Sequence, residues 1–398
     1  MSRFLPAFLL LLLLAAPGFA QDEEAPTVAI LRFGSLASRD ISEGGVLDIL
    51  ESYGYLSEEE NRVLEERVDY AADKVNIVWG DASFEFSNIG AMIERALDAG
   101  ADVLITFSTP VTLSAVNLTL DMEEPPPVLF SGVQYPYEAG IASSACIKPA
   151  HVTGTEISTS YEYVFEALLE QDPDMERIGI IHSTTEASGT QGAAEIAAVA
   201  AAQEIVADTV GVVSVSDLRA AANALVNDGA QAILLPVDSI TTQGLPIVVT
   251  VANENGIPVF YPSLGAVYYG ATIGAGYSRY YETGLSVGVL LANYLNGDLD
   301  VATTAINIAT GKGIGINMDS ADEQGVAVAE SLMQRADAVY RAGRTVSASP
   351  ALRQAIARRG VVIPLEDRLD ADLALLESLQ CTDEMIAEQQ AALDAASG

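Results

Sequence analysis

The chain has 398 residues, of which 50% are apolar, 19% charged and 7% aromatic. This apolar content supports a folded core and excludes the disordered and fibrous classes. Nineteen Lys and Arg against 55 Asp and Glu give a net charge of −36, so the basic surface that nucleic-acid binding requires is missing. The length exceeds what one core usually organises, which predicts two lobes.

The first twenty residues have the pattern of a secretory signal peptide. Arg3 precedes an apolar run, and Pro17, Gly18 and Ala20 follow before an acidic stretch begins. The run is shorter than the roughly 20 residues that span a bilayer, and no cysteine follows it for lipid attachment. We therefore expect residues 1–20 to be cleaved and the product to be periplasmic, without a lipid anchor.

Two features of composition bear on the protein's surroundings. Removing Arg3 with the signal leaves a balance of 18 − 55 = −37, which favours solubility in a salty environment, with attraction of a cationic ligand as the alternative. The two cysteines, Cys146 and Cys381, could form a disulfide in an oxidising compartment or remain separate buried thiols. The sequence alone does not decide between these two states.

Short β-branched segments alternate with amphipathic helical stretches at the start of the chain. The predicted strands are Thr27–Phe33, Val75–Trp79, Val103–Phe107 and Val128–Ser131. Near-continuous apolar strands joined by helical crossovers are typical of a parallel sheet covered on both faces. We therefore expect a doubly wound α/β lobe in this part of the chain.

The same alternation begins again at residue 177 and predicts a second lobe. Its strands are Arg177–His182, Ile205–Val213, Ala232–Pro236 and Val259–Tyr261. Residues 100–105 (GADVLI) resemble residues 229–234 (GAQAIL), and a Pro-Val strand follows each segment. This repetition indicates two lobes of like topology.

The remaining segments are too few for a third domain and are assigned to the two sheets. They comprise a strand near 271–275, a helix near 280–295, a strand near 305–308 and a long helix near 323–342. The chain would then cross between the lobes near 152–155, 271–275 and 304–307, which makes a three-crossing hinge. We expect lobe one to span 21–151 and 272–303, lobe two 152–271 and 304–345, and a helical extension 346–398, with one amphipathic helix at Ala371–Ala395.

The motifs of catalysis are absent or incomplete. Neither G-x-G-x-x-G nor G-x-x-x-x-G-K-[ST] occurs, so no nucleotide cofactor is predicted. Residues 284–288 match the G-x-S-x-G pattern of serine hydrolases, but Ser286 lies in a helical run, and both histidines, His151 and His182, precede it. Two His and two scattered Cys do not supply a zinc site, although the many acids leave a carboxylate site for Ca²⁺ or Mg²⁺ open. We expect no enzyme, no cofactor and no metal.

Several segments between Val28 and Ala342 carry a family resemblance. They are Phe107-Ser108-Thr109-Pro110, Phe130-Ser131-Gly132-Val133 with Pro136 and Gly140, Val152-Thr153-Gly154, Glu186-Ala187, Pro236-Val237-Asp238, and Tyr280-Tyr281 with Gly284. Together they resemble the ABC transporter substrate-binding proteins of the type I periplasmic binding fold, which include tryptophan- and tyrosine-type binding proteins. The resemblance implies two lobes with a ligand held between them, and it does not cover the residues beyond Ala342.

Three segments depart from the family's usual residues. Gln134 and Tyr135 stand where the family has Thr-Asp, Ser239 replaces an Asn, and Ser183-Thr184 replaces an Asn-Pro. The identity of the ligand therefore does not follow from the resemblance.

Ligands of open α/β sheets bind beyond the carboxyl ends of the strands, where helix N-termini present unpaired N–H groups. The loops at 108–110 and 183–188 should therefore face an anionic group. Asp238 is expected to hold a cationic amine, with capping of the following helix as the alternative, and aromatic rings supply contact area. The residues expected at the ligand site are Phe33, Ser35, Ser108, Thr109, Gln134, Tyr135, Tyr137, Ser183, Glu186, Ser188, Asp238, Ser239 and Tyr280.

The resemblance implies a protein that captures a small molecule, such as an amino acid or a similar carboxylate or amine solute, and delivers it to an ABC transporter permease at the inner membrane. Binding would draw the lobes together about the hinge. A periplasmic sensory protein of the same fold is the alternative, and an exported serine hydrolase comes last. We expect a monomer whose partners are the small-molecule ligand and the permease.

Overall fold

The computed structural model describes residues 25–397, and the predicted signal peptide at residues 1–20 lies outside the described residues. Near-continuous apolar residues let the central strands bury both faces. Val28 and Ile30 of the first strand, for example, contact one core cluster, whereas Ala29 and Leu31 contact another. The strands are β1 (Thr27–Arg32), β2 (Tyr70–Ala71), β3 (Asn76–Asp81), β4 (Val103–Phe107), β5 (Val128–Val133), β6 (Val152–Ile157), β7 (Arg177–Ser183), β8 (Val206–Val212), β9 (Ala232–Leu234), β10 (Val259–Ser263), β11 (Ile273–Tyr277), β12 (Asn307–Ala309), β13 (Gly313–Asn317), β14 (Ala338–Arg341) and β15 (Arg344–Ala348).

The strands form two sheets. The first has the order β12-β6-β5-β4-β1-β3-β2, and the second has the order β15-β14-β13-β11-β10-β9-β7-β8. Most neighbours are parallel; the antiparallel pairs are β2 with β3, β11 with β13, and β14 with β15. The fold class predicted from the sequence, two α/β parallel-sheet lobes with a C-terminal helical extension, is confirmed.

Helices cover both faces of each sheet. None of the helices that the structure describes combines the length and apolar character that a bilayer crossing requires. They are α1 (Ala37–Ser52), α2 (Glu58–Leu64), α3 (Phe86–Asp98), α4 (Thr109–Thr119), α5 (Tyr161–Gln171), α6 (Ala187–Ala202), α7 (Leu218–Asn227), α8 (Ser239–Asn255), α9 (Tyr280–Leu295), α10 (Met318–Gln324), α11 (Glu330–Arg335), α12 (Pro350–Arg358), α13 (Leu365–Ser378) and α14 (Asp383–Ser397).

The crossings between the lobes lie after β6, β11 and β12 and not at the segments predicted from the sequence. β6 and β12 pair within the first sheet, and β11 pairs within the second. Each strand therefore completes the sheet it belongs to before the chain leaves, and the connections lie at 158–160, 278–279 and 310–312. Accordingly, the expected bounds, which gave 152–157 and 307–309 to lobe two and 273–277 to lobe one, are corrected.

The prediction of one long helix near 323–342 is wrong. The segment instead forms the end of α10, the short helix α11 and strand β14. Gly325 has a φ of 68° and ends α10, since a left-handed residue cannot continue a right-handed helix. Ala338 and Val339 are buried and pair with β13, so tertiary pairing overrides the helical pattern of the apolar residues.

The extension after residue 345 is more than the single helix expected at Ala371–Ala395. It continues from β15 into three helices, α12 to α14, and the turn at 379–382 separates the last two. In this turn Cys381 forms a disulfide with Cys146 of the first lobe. The pairing that the sequence left open is therefore present in the structure.

Candidate ligand-binding site

A cavity of about 180 Å³ lies between the lobes, at the carboxyl ends of their strands. Its walls come from the starts of α1 and α4, the ends of β5 and β6, the loops before α6 and α8, and the segment after β10. Eight of the thirteen residues predicted from the sequence line it: Ser108, Thr109, Gln134, Glu186, Ser188, Asp238, Ser239 and Tyr280.

Ser108 is held in an unusual conformation at the start of α4. Its φ is 88°, its side chain makes no capping hydrogen bond, and its buried Oγ has no partner. A residue other than glycine in the left-handed region carries backbone strain, which is often found at functional sites. The unpaired hydroxyl is therefore available to a ligand in the cavity.

Gln134 provides a second unpaired polar atom on the first-lobe wall. It is 5% exposed, and its Nε2 donates a hydrogen bond to Thr159 Oγ1. That bond orients the amide and leaves the buried Oε1 without a partner. A buried acceptor without a donor costs free energy, so a ligand that supplies an N–H or O–H group would recover it.

Glu186 makes the second-lobe wall acidic. The residue is 7% exposed, and its carboxylate accepts hydrogen bonds from Ser239 N at 3.1 Å and Ser239 Oγ at 2.8 Å. Burial raises the pKa of Glu186 to about 7, and the neighbouring carboxylate of Asp238 adds to the rise. This loop was expected to face an anionic group of the ligand, but its carboxylate suits a cation instead.

Asp238 caps α8, as the alternative interpretation of this residue predicted. One carboxylate oxygen accepts from Thr241 N at 2.7 Å, and the other accepts from Ser183 N at 2.9 Å. Burial raises the pKa of Asp238. Asp238 lines the cavity, but both of its carboxylate oxygens accept hydrogen bonds from backbone N–H groups. It therefore acts on a cationic ligand by adding negative charge beside Glu186.

Aromatic rings form the apolar wall of the cavity. Tyr261, Tyr277 and Tyr280 come from the second lobe and its connection to the first, and Phe107 comes from the end of β4. Tyr277 and Tyr280 pack edge to face with centroids 5.0 Å apart. Tyr280 Oη also shares a hydrogen bond with Ser263 Oγ at 3.0 Å. These contacts fix the rings as a surface on which a flat apolar group can pack.

Three predicted residues belong to the fold rather than to the cavity lining. Phe33 is 1% exposed and packs against Phe84 and Phe86, with ring centroids 5.7 Å and 4.7 Å away. Tyr137 packs against the same first-lobe core. Ser183 is buried, and its Oγ bonds Thr185 Oγ1.

Two further predicted residues lie outside the lining. Ser35 is exposed. Tyr135 has a φ of 54° and donates its hydroxyl to Glu195 of α6 at 2.7 Å. Tyr135 therefore joins the first lobe to the second across the cleft, a role that its position in the sequence does not reveal.

Sequence reasoning missed some lining residues on both lobes and on the extension. Arg39 of α1 lines the cavity and donates to the Gly34 carbonyl at 2.9 Å. Leu352, Ile356 and Arg359 line it from the extension. Leu352 and Ile356 share one face of α12 through their i, i+4 spacing, which is the signal that could have indicated them, and Arg359 directly follows the helix.

Ser286 does not form a hydrolase site. It lies in the middle of α9, and its Oγ bonds Thr155 Oγ1 at 3.3 Å and Asn307 Nδ2 at 2.9 Å. The flanking Gly284 and Gly288 contact α1 so closely that neither has room for a Cβ. The G-x-S-x-G pattern is thus a helix-packing feature and not a nucleophile elbow. Within residues 25–397 no group of three or more His, Cys, Asp or Glu is placed to hold a metal ion.

A cavity between two α/β lobes of like topology, lined by polar atoms without partners, defines a two-lobed ligand-binding protein. The family model described as ABC transporter substrate binding protein matches residues 27–340, and the chain belongs to this family. The resemblance found in the sequence is therefore confirmed. The family is one of solute-binding proteins.

Proteins similar to this chain include both a curated relative and solved structures. A tyrosine-binding protein of Clostridioides difficile is 26% identical over 270 residues, which are 66% of this chain and 76% of the relative. An ABC domain from Streptococcus pneumonia in complex with L-Trp is 22% identical, with a TM-score of 0.69 over 79% of this chain and all of that one. A conserved domain protein from Vibrio cholerae is 21% identical, with a TM-score of 0.70 over the same shares. The two structures show the shared fold.

Proposed function

We propose that this protein is exported to the periplasm, captures an amino acid between its lobes and delivers it to the permease of an ABC importer. The observation that carries the proposal is the polarity of the cavity. Its second-lobe wall holds the buried carboxylates of Glu186 and Asp238, whereas its first-lobe wall holds a helix start and two polar atoms without partners, on Ser108 and Gln134.

The acidic wall suits the ammonium group of an amino acid. The Glu186 carboxylate is fixed by Ser239 and lies close enough to Asp238 for the two charges to interact. A cation between them relieves this repulsion. The free Oε1 of Gln134 offers a further acceptor for an N–H group of the ligand.

The first-lobe wall suits the carboxylate. The start of α4 presents backbone N–H groups and the positive end of the helix dipole, an arrangement that binds anions. The free hydroxyl of Ser108 lies at this start and can donate a hydrogen bond to an oxygen anion. Two opposite poles within one cavity select a ligand that carries both charges.

The aromatic wall favours a ligand with a flat apolar side chain. Phe107, Tyr261, Tyr277 and Tyr280 provide ring surface with hydroxyl groups at its edge. The tyrosine-binding relative and the L-Trp complex of similar fold support aromatic amino acids as the first ligands to test.

The first experiment is native mass spectrometry of protein purified without added ligand, followed by calorimetric titration with L-tyrosine and L-tryptophan. We expect Glu186→Gln to weaken binding of these ligands about 10- to 100-fold, because it removes a charged partner of the ammonium group while leaving an acceptor for Ser239. Glu166→Gln removes the same charge from an exposed face of α5 and should leave binding unchanged. Wild-type protein that neither carries nor binds an amino acid would contradict the proposal.

Amino acid binding is expected to depend on pH near neutrality. In the free protein Glu186 loses its proton as the pH rises through about 7, and the ammonium group binds the ionised form. Affinity should therefore rise about tenfold from pH 6 to pH 8 and level off above that. Asp238, whose pKa is also raised, and the guanidinium of Arg39 are the other charged groups near Glu186.

Titrations between pH 5.5 and 8.5 measure this dependence, and calorimetry at pH 7 in buffers of different ionisation enthalpy measures proton release on binding. Glu186→Gln should flatten the profile. A wild-type affinity that stays constant over the range would show that Glu186 does not exchange its proton for the ligand's charge.

A further inference from the structure

The C-terminal extension makes a fourth connection between the lobes. Its first strand, β15, pairs with β14 of the second sheet, and Leu352 of α12 packs with Leu264 and Ala338 of the same lobe. The chain then passes to the first lobe, where Ser52 Oγ donates to the Ile363 carbonyl at 2.7 Å. The family match ends at residue 340, so this connection lies outside the part of the chain that the family describes.

The far end of the extension is anchored firmly on the first lobe. Tyr53 Oη donates to Asp372 at 3.0 Å, and Leu375 and Leu376 pack against the first-lobe core. Beyond them, Cys381 is bonded to Cys146. The segment between these anchors is therefore held in place where it passes the cavity.

One face of α12 lies at the cavity. Leu352 and Ile356 lie four residues apart on α12, Arg359 directly follows the helix, and all three line the cavity. Leu352 is buried, whereas Ile356 is 44% exposed. The apolar side of α12 therefore lines the cavity with a buried residue near its start and a more exposed residue one turn later. The extension therefore supplies a part of the cavity lining that belongs to neither lobe.

Arg359 adds a positive charge to this part of the lining. Its Nε–H is buried and has no hydrogen-bond partner, in contrast to Arg368 on the next helix, which bonds Asp372 with both Nε and Nη2. A guanidinium donor left unpaired in a buried position costs free energy. It is matched in geometry and charge by a carboxylate.

We propose that α12 and the residue that follows it form a subsite of the ligand cavity, in which Arg359 binds the carboxylate of the ligand and Leu352 and Ile356 cover its apolar part. This inference rests on the proposed function and assigns to the extension a direct part in recognition. The start of α4 and Arg359 then share the anionic end of the ligand, and Glu186 takes the cationic end.

The test compares ligands that differ only in the carboxylate. L-tryptophan and L-tyrosine are titrated beside tryptamine and tyramine, which keep the ring and the amine, into the full disulfide-bonded chain. Arg359→Gln is expected to weaken binding of the two amino acids about tenfold or more and to change binding of the two amines less than about twofold. Arg358→Gln changes the exposed last residue of α12, next to Arg359, and should leave all four affinities unchanged.

The outcomes separate this inference from the proposed function. Wild-type binding of an amino acid with unchanged affinity in Arg359→Gln overturns the subsite alone. Equal losses for amino acids and amines in Arg359→Gln also overturn it, because Arg359 would then act on the shape of the site and not on the carboxylate. Failure of wild-type protein to bind any of the amino acids overturns both. Thermal unfolding of each variant shows whether it is folded.

Discussion

Gly284→Ala is expected to lower the free energy of unfolding by about 3 kcal/mol, the upper part of the usual range for overpacking. Gly284 lies where α9 of the first lobe crosses α1, and a Cβ on it would overlap the backbone carbonyl of Ser42. Gly45 on α1 and Gly288 on α9 also lie close to the facing helix. A Cβ on Gly45 would be 2.6 Å from Tyr281 O, and a Cβ on Gly288 would be 2.7 Å from Ile49 Cβ. Backbone cannot move aside as a flexible side chain can, so the helices must separate.

Urea unfolding followed by circular dichroism measures the effect of this substitution. Gly44→Ala is the matched control, because Gly44 is also helical, adjoins Gly45, and has nothing within 4 Å of its Cβ position. Alanine there should be neutral or stabilise by up to about 1 kcal/mol through helix propensity. If Gly284→Ala unfolds at the same urea concentration as the wild type, the close helix contact is not what holds α1 on α9.

The sheets could be predicted because their strands are short, apolar and separated by clear helix ends. The repeated segment shows why: Gly100 and Gly229 have φ values of 75° and 88°, each following a helix and preceding a buried strand, β4 or β9. The same local chemistry, a left-handed glycine between an amphipathic helix and an apolar run, recurs in both lobes.

The hinge and the region after residue 317 were harder to predict. At the hinge the chain changes sheets, and after residue 317 the choice between helix and strand depends on pairing with β13. The apolar residues of 323–342 suit a helix by their spacing, yet Ala338 and Val339 are taken by the edge of β13. Whether a strand ends one sheet or begins the next depends on which neighbour it pairs with. No local pattern contains that information.

The site was predictable where it follows from strand order and not where it follows from side-chain direction. Ser108, Glu186 and Asp238 lie at helix starts that the fold turns toward the cleft. Tyr135 lies in an equally suitable loop, but its positive φ directs the ring to Glu195. Arg359 comes from a segment without a place in the two-lobe plan, so no argument from the lobes could reach it.

Loss of the disulfide is expected to have the largest effect on stability. Cys146 and Cys381 are 235 residues apart, and closing a loop of this size in the unfolded chain corresponds to about 5 kcal/mol in the loop-entropy model. The bond also fixes the turn in which Cys381 N donates to Thr303 O at 2.8 Å, beside Ala305 N donating to Leu379 O at 2.7 Å. We expect Cys146→Ser with Cys381→Ser to unfold at a clearly lower urea concentration and to expose the extension to proteases.

Reductant gives the matched comparison, because it should lower the stability of the wild type toward that of the double variant and leave the double variant unchanged. Limited proteolysis with mass analysis locates the first cleavage, which we expect between α12 and α14 once the anchor is lost. Since α12 lines the cavity, the released extension should also weaken amino acid binding, and Arg359→Gln should then add no further loss. Equal stability of oxidised and reduced wild type, with the free thiols counted by mass, would show that the noncovalent contacts of the extension are enough to hold it on the first lobe.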